Sequence, residues 1–131
     1  MSKKIRFALV GCGRIAKRHS ELLGLDQLKS AELVSVCDSN ITKANKISKE
    51  FNVSAYKDMD EMMGSESVDV VVVLTPSGLH AEHVINLSKY GKNIMVEKPM
   101  ALTIEDTENM IYACDANNIK LFVIKQNRFN V

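Results

Sequence analysis

The sequence has no surplus of charge of either sign: 17 Lys and Arg stand against 16 Asp and Glu, a balance of +1. That excludes the broad positive field with which a nucleic-acid or anionic-membrane binder gathers its partner, so neither partner is expected. Cysteine is scarce. Cys12, Cys37 and Cys114 lie far apart and form no CxxC, which argues against a disulfide framework and a zinc site alike. His80 and His83 are three apart on a predicted helix, but no carboxylate or cysteine completes a metal set with them, so no metal is expected. Long apolar runs are missing too: no stretch approaches the roughly 20 residues that span a bilayer. The basic start "MSKKIRFALVGCG" leads into a run broken by Arg6 and ended by glycines, without a signal-peptide cleavage pattern. The thiols read as reduced, and a soluble, cytoplasmic protein is expected.

What is present suffices for one core. A chain of 131 residues with 46% hydrophobic content predicts a single domain over 1–131. Short runs rich in Val and Ile alternate with longer segments of helical period, the pattern of βαβ units. The runs are "IRFALV" (5–10), "AELVSVCD" (31–38), "VDVVVVLT" (68–75), "KNIMVE" (92–97) and "KLFVIK" (120–125), with a weaker one near 53–56. They predict an α/β Rossmann-type, doubly wound fold, with a mainly parallel sheet covered by helices on both faces. Ile15, His19, Leu22 and Leu23 follow helical spacing, as do Leu79, His83, Val84 and Leu87, and Met110, Ile111 and Cys114, so each set is expected to face the sheet, with His83 in the core or at its rim. Ser77 reads as an N-cap, Gly91 as a helix stop, and Thr103 with Asp106 as a capping box.

The stretch "VGCGRIA" places Gly11, Gly13 and Ala16 in the pattern G-x-G-x-x-A, after a predicted strand and at the opening of a predicted helix. Gly11 allows a sharp turn, Gly13 lets backbone N–H groups approach a pyrophosphate, and Ala16 lets helix and strand pack closely. Arg14 and Ile15 open the helix, whose N-terminus carries partial positive charge toward the phosphates. Glycines alone are weak evidence, since many turns need them. The context strengthens them: Asp38 ends the second strand 25 residues after Gly13, where a carboxylate accepts both hydroxyls of an adenosine ribose. Asp38 is also placed to cap the next helix, and the two roles can coexist. Its charge would repel a 2′-phosphate, which favours NAD over NADP. An S-adenosylmethionine site would put an acidic residue where this chain has Leu9 and Val10, and a P-loop would need G-K-[ST].

Three stretches together, the glycine turn, "VVVLTPSGLHAEHV" (71–84) and "VEKPMALT" (96–103), resemble the N-terminal domain of the Gfo/Idh/MocA oxidoreductases, NAD(P)-dependent dehydrogenases acting mainly on sugars, inositols and sugar nucleotides. The segment "FVIKQNRFN" (122–130) is similar to that of the WlbA/WbpB branch, which oxidises the 3-hydroxyl of UDP-N-acetylglucosaminuronic acid for surface-polysaccharide (lipopolysaccharide) biosynthesis. The resemblance implies that Lys98 is the active-site lysine that hydrogen-bonds the substrate hydroxyl, that Lys98 also belongs to the cofactor-binding set where the nicotinamide lies, and that Glu97 sits by the nicotinamide ribose. It places Thr75, Pro76 and Ser77 by the nicotinamide half, and His80 as support on the cofactor side. Pro99 would fix the turn, through a cis Lys98–Pro99 bond or without one. Gln126, Asn127 and Arg128 would meet substrate, although Arg128 also reads as a solvated residue after a strand.

The resemblance also implies a second, largely antiparallel domain that closes the substrate site and often forms a homo-oligomer interface. None of the chain is left for it, so a fragment that binds NAD and turns over little or no sugar is expected. Three readings stay open: the cofactor half of a sugar-nucleotide dehydrogenase, the same half of a dehydrogenase for another sugar or inositol, and a non-catalytic dinucleotide-binding regulatory module in which Lys98 would be idle.

Overall fold

The apolar runs become six strands: β1 (Ile5–Val10), β2 (Ala31–Cys37), β3 (Ser54–Tyr56), β4 (Val70–Val73), β5 (Asn93–Glu97) and β6 (Leu121–Ile124). The structure is a computed structural model, and it describes residues 4–24 and 29–124. All strand pairs are parallel, in the order β3-β2-β1-β4-β5-β6. Helices α1 (Arg14–Gly24), α2 (Ile41–Phe51), α3 (Met59–Ser65), α4 (His80–Ser88) and α5 (Ile104–Ala116) connect them, with a 3-10 turn at Ser77–Leu79 ahead of α4. The doubly wound sheet is therefore as the sequence predicts.

Period-two alternation divides the strands between two cores. Ala8, Val10, Val71, Val73, Ile94 and Val96 pack with Met62, Val84, Leu87, Met110 and Cys114 from α3, α4 and α5. The alternate residues Leu9 and Val72, with Leu74 just after β4, pack on the other face with Ala16, Ala44 and Ile47 from α1 and α2. Fully burying a side chain the size of Leu9 is worth about 1.5–3 kcal/mol. A one-residue slip of any strand would exchange the two sets at once, so register is strongly fixed. Among the described residues the register shifts in β2, where Phe7 pairs with Leu33 and Ala8 with Ser35. Val34 is left without an opposite residue, which is why Leu33 and Val36 share a face although they are three apart.

Helix boundaries follow local chemistry. Asn40 caps α2 by accepting from the Thr42 amide, and Asn52 ends it in the left-handed region at φ 56°. Thr103 caps α5 by accepting from the Asp106 amide, the half of the expected box that the structure displays. Gly91, at φ +72°, follows the end of α4 as expected. Three expectations are corrected. Ser77 starts the 3-10 turn and makes no side-chain cap, because the chain needs that turn to climb from β4 to the first residue of α4, His80. Leu79 is 41% exposed, since it belongs to the turn rather than to α4's inward face. Ile111 is 46% exposed because Met110 and Cys114 already define the buried stripe of α5. Among the described residues no helix is long and apolar enough to cross a membrane.

Candidate functional site

Because β2 lies on one side of β1 and β4 on the other, the connections leaving β1 and β4 diverge and open a crevice beyond the strands' C-terminal ends. Its volume is about 700 Å³, within the range of small-molecule sites. Gly11, Gly13, Arg14, Ile15, Asp38, Thr75, Pro76, Ser77, His80, Glu97 and Lys98 all line it. Gln126, Asn127 and Arg128 lie outside the described residues.

The two glycines serve different ends. Gly11 has φ +101°, and a Cβ there would stand 2.8 Å from the Leu74 carbonyl carbon and the Thr75 nitrogen. Only glycine lets the β1 turn pass this close to the end of β4. A Cβ on Gly13 would meet nothing within 4 Å, so no neighbour in the fold requires a glycine there. The open space beside it belongs to the crevice, and it fits a phosphate approaching the backbone. Immediately beyond, α1 opens at Arg14 and Ile15, whose amides precede the first turn's bond from Ala16 N–H to the Gly13 carbonyl. Ala16 is fully buried behind them.

Asp38 is the hinge of the opposite end. Its Oδ2 accepts the Cys12 amide and its Oδ1 the Asn40 amide, each at 2.8 Å. The carboxylate thus fastens the glycine turn to the end of β2. The helix cap there is Asn40, so the capping role anticipated for Asp38 passes to the residue two further on, whose side chain reaches the Thr42 amide. Lys43, Lys57, Asp58 and Met59 complete this corner. Burial, and then the Asp38 charge, push the Cys12 and Cys37 thiols up to about 12, so both are protonated at neutral pH. All three cysteines are free thiols.

At the other end, His80 is 2% exposed and joins two loops. Its Nε2 lies 2.7 Å from the Thr75 carbonyl, and its Nδ1 lies 2.9 Å from the Pro99 carbonyl and 3.2 Å from that of Met100. The ring spans from the end of β4 to the turn after β5, where the Lys98–Pro99 bond is cis. Lys98 is exposed at the crevice mouth and Glu97 is buried beside it. Of the two places expected for His83, core or rim, it takes the rim: its Nδ1 is 2.8 Å from Thr75 Oγ1 and it lines the crevice. Burial above all holds its pKa below the ordinary 6.5.

The sequence reading missed His19, whose Nε2 is 3.2 Å from Glu97 Oε2, and the corner formed by Lys43, Lys57, Asp58 and Met59. Helical spacing concealed His19 among apolar neighbours, and nothing in the sequence announces that β3 and α3 come round to Asp38. Among the described residues no three His, Cys, Asp or Glu side chains are grouped to hold a metal ion.

Residues 5–125 match the Gfo/Idh/MocA family described as an oxidoreductase family with an NAD-binding Rossmann fold. The WlbA dehydrogenase from Bordetella pertussis, solved in complex with NADH and UDP-GlcNAcA, is 39% identical with a TM-score of 0.91, the match covering 98% of this chain and 39% of that one. The WlbA dehydrogenase from Chromobacterium violaceum, solved with the same two ligands, is 40% identical with a TM-score of 0.92, covering 99% and 37%. The scyllo-inositol 2-dehydrogenase (NADP(+)) IolU of Bacillus subtilis is 30% identical over 126 residues, 95% of this chain and 38% of the relative. The chain thus spans well under half the length of each.

Proposed function

The chain belongs to the Gfo/Idh/MocA oxidoreductases as an NAD-binding Rossmann domain, and on that premise we propose that it is the cofactor half of a dehydrogenase that oxidises the 3-hydroxyl of a UDP-N-acetylglucosaminuronate-type sugar nucleotide, in the making of surface polysaccharide. The observation that carries this reading is the placement of Lys98 and Glu97, at the end of β5, in the same crevice as the glycine turn and Asp38. A regulatory module would need only the last two. The sugar is chosen from the likeness to the two WlbA dehydrogenases, whose identity of 39–40% exceeds that to the inositol enzyme.

In this reading the amides at the start of α1, with Gly11 and Gly13, hold the pyrophosphate, while Asp38 accepts the adenosine ribose hydroxyls and repels a 2′-phosphate. Thr75, Pro76, Ser77 and Glu97 bound the nicotinamide half, with His80 keeping their loops together. Bound NAD supplies the acceptor for hydride. Lys98 does the chain's own chemistry: its ammonium hydrogen-bonds the substrate hydroxyl, stabilises developing alkoxide charge and relays the proton that the carbinol must lose. Gln126, Asn127 and Arg128 follow β6 and meet the substrate, Arg128 being suited to a phosphate or carboxylate. In this reading a second domain outside these 131 residues closes the sugar site and joins subunits, and the 131 residues by themselves bind NAD without appreciable turnover.

The test has two arms. Calorimetric titration of this chain is expected to show NAD bound more tightly than NADP. The complete gene product, assayed by NADH formation, is expected to turn over UDP-N-acetylglucosaminuronate in preference to scyllo- or myo-inositol. Turnover of inositol alone would replace the substrate assignment, and robust turnover by the 131-residue chain would overturn the division of labour.

A further inference from the structure

Glu97 is the last residue of β5, 8% exposed, and its two carboxylate oxygens are in unlike situations. Oε2 lies 3.2 Å from His19 Nε2. Oε1 is buried and has no hydrogen-bond partner among the described residues. A buried acceptor of this kind is costly, and rarer still when it carries charge, unless something absent from the polypeptide donates to it. The pair is also not a surface ion pair of negligible worth, because the side chains are only 18% and 10% exposed. It links positions 78 apart in sequence, the middle of α1 and the end of β5, across the intervening β4.

Glu97 lines the crevice next to Lys98, with Oε1 buried just behind the surface. From the corner at Asp38 to Glu97 the sheet runs through β2, β1, β4 and β5, three inter-strand spacings of about 4.8 Å, or roughly 14 Å. A dinucleotide whose adenosine ribose rests at Asp38 and whose pyrophosphate rests over β1 extends its other nucleoside toward Glu97. That half carries the required donors, ribose hydroxyls and a carboxamide NH₂.

We propose that His19 is a positioning residue: its ring nitrogen holds Oε2 of Glu97, so that Oε1 stays turned to a hydroxyl or amide donor on the nicotinamide-riboside half of NAD. The proposal rests on the reading of the crevice as the NAD site. His19 touches no ligand itself and is not part of the crevice wall, so it acts through Glu97 alone. Its place on α1 also means that the helix receiving the pyrophosphate is tied to the strand that carries Lys98.

The experiment is calorimetric titration of the unaltered chain, His19→Ala, His19→Gln and Glu97→Gln with NAD and, separately, with ADP, which lacks the terminal ribose and nicotinamide. His19→Ala and Glu97→Gln are expected to weaken NAD by about tenfold and leave ADP unchanged. His19→Gln, whose amide nitrogen can donate to the same oxygen, is expected to restore most of the loss. Equal loss of NAD and ADP would show that His19 only supports the packing of α1, and unchanged NAD affinity in His19→Ala would show that the contact is idle; either result overturns the proposal. Thermal unfolding of each variant identifies a folding failure, and if His19→Ala does not fold, the comparison of His19→Gln with Glu97→Gln decides. Failure of the unaltered chain to bind NAD would instead remove the site reading and the proposal with it.

Discussion

Asp38 Oδ2 accepts the backbone N–H of Cys12 at 2.8 Å, so the residue assigned to the ribose is also the one that fastens the glycine turn to β2. Its Oδ1 takes the Asn40 amide in the same way. Replacing the carboxylate therefore uncovers two backbone donors in the corner that holds Lys43 and Lys57, besides removing the ribose acceptor proposed above.

Asp38→Ser is expected to weaken NAD by tenfold to a hundredfold, the order set by losing charge-assisted bonds, while NADP affinity holds or rises. The freed amides and the two lysines of that corner would accept a 2′-phosphate. Paired titrations with NAD and NADP measure the change in preference; a loss equal for both cofactors would show that Asp38 serves only to shape the turn.

The glycines are expected to separate stability from binding. Gly11→Ala drives a Cβ against the Leu74–Thr75 backbone at a positive φ, and should lower the Tm by roughly 5–10 °C. Gly13→Ala meets no atom of the fold and should leave the Tm within about 2 °C while weakening NAD. Scanning calorimetry with and without NAD distinguishes them.

Lys98→Met in the complete gene product should reduce kcat by about 10²- to 10⁴-fold, the range for losing a positioned acid–base group. NAD binding should change little, because Lys98 is exposed at the mouth and makes none of the contacts that hold the loops. Steady-state kinetics beside NAD titration tests this, and a parallel loss of NAD affinity would move Lys98 from chemistry to cofactor binding.

The pH dependence has opposite signs at the two ends of the scale. Cys12 and Cys37 have their ordinary 9.0 raised to about 12 in the fold, so the unfolded chain loses these protons first. Their contribution is complete below about pH 9 and is lost as the pH rises toward 12. His83 is depressed below 6.5 by burial, so its contribution is present above that value and is lost as the pH falls below it. Urea unfolding across pH 5 to 11 should show stability declining at both edges, with His83→Gln flattening the acid edge and Cys37→Ala the alkaline one.

Much of the fold was legible because its signal is local. Residues 5–10 read as a strand to the residue, and the glycine turn, Asp38 and the "EKP" stretch all fall on one crevice because a parallel sheet gathers strand C-termini on one side. Periodicity failed where a residue's task is polar and long-range. His83 and His19 have the spacing of core residues, yet one faces Thr75 and the other Glu97, 78 positions away. The bulge at Val34 was equally silent, since Val, Ser and Val alternate as any strand does. The corner at Lys57 and Met59 depends on β3 docking beside β2, a pairing that three residues of sequence barely announce.

The His80 ring, wedged between the carbonyls of Thr75, Pro99 and Met100, makes the loops after β4 and β5 one mechanical unit. Those loops flank Lys98, so the lysine's backbone is preorganised before any ligand arrives, and association need not spend free energy ordering it. On the hydrogen-exchange timescale the backbone of this wall of the crevice should behave like the sheet.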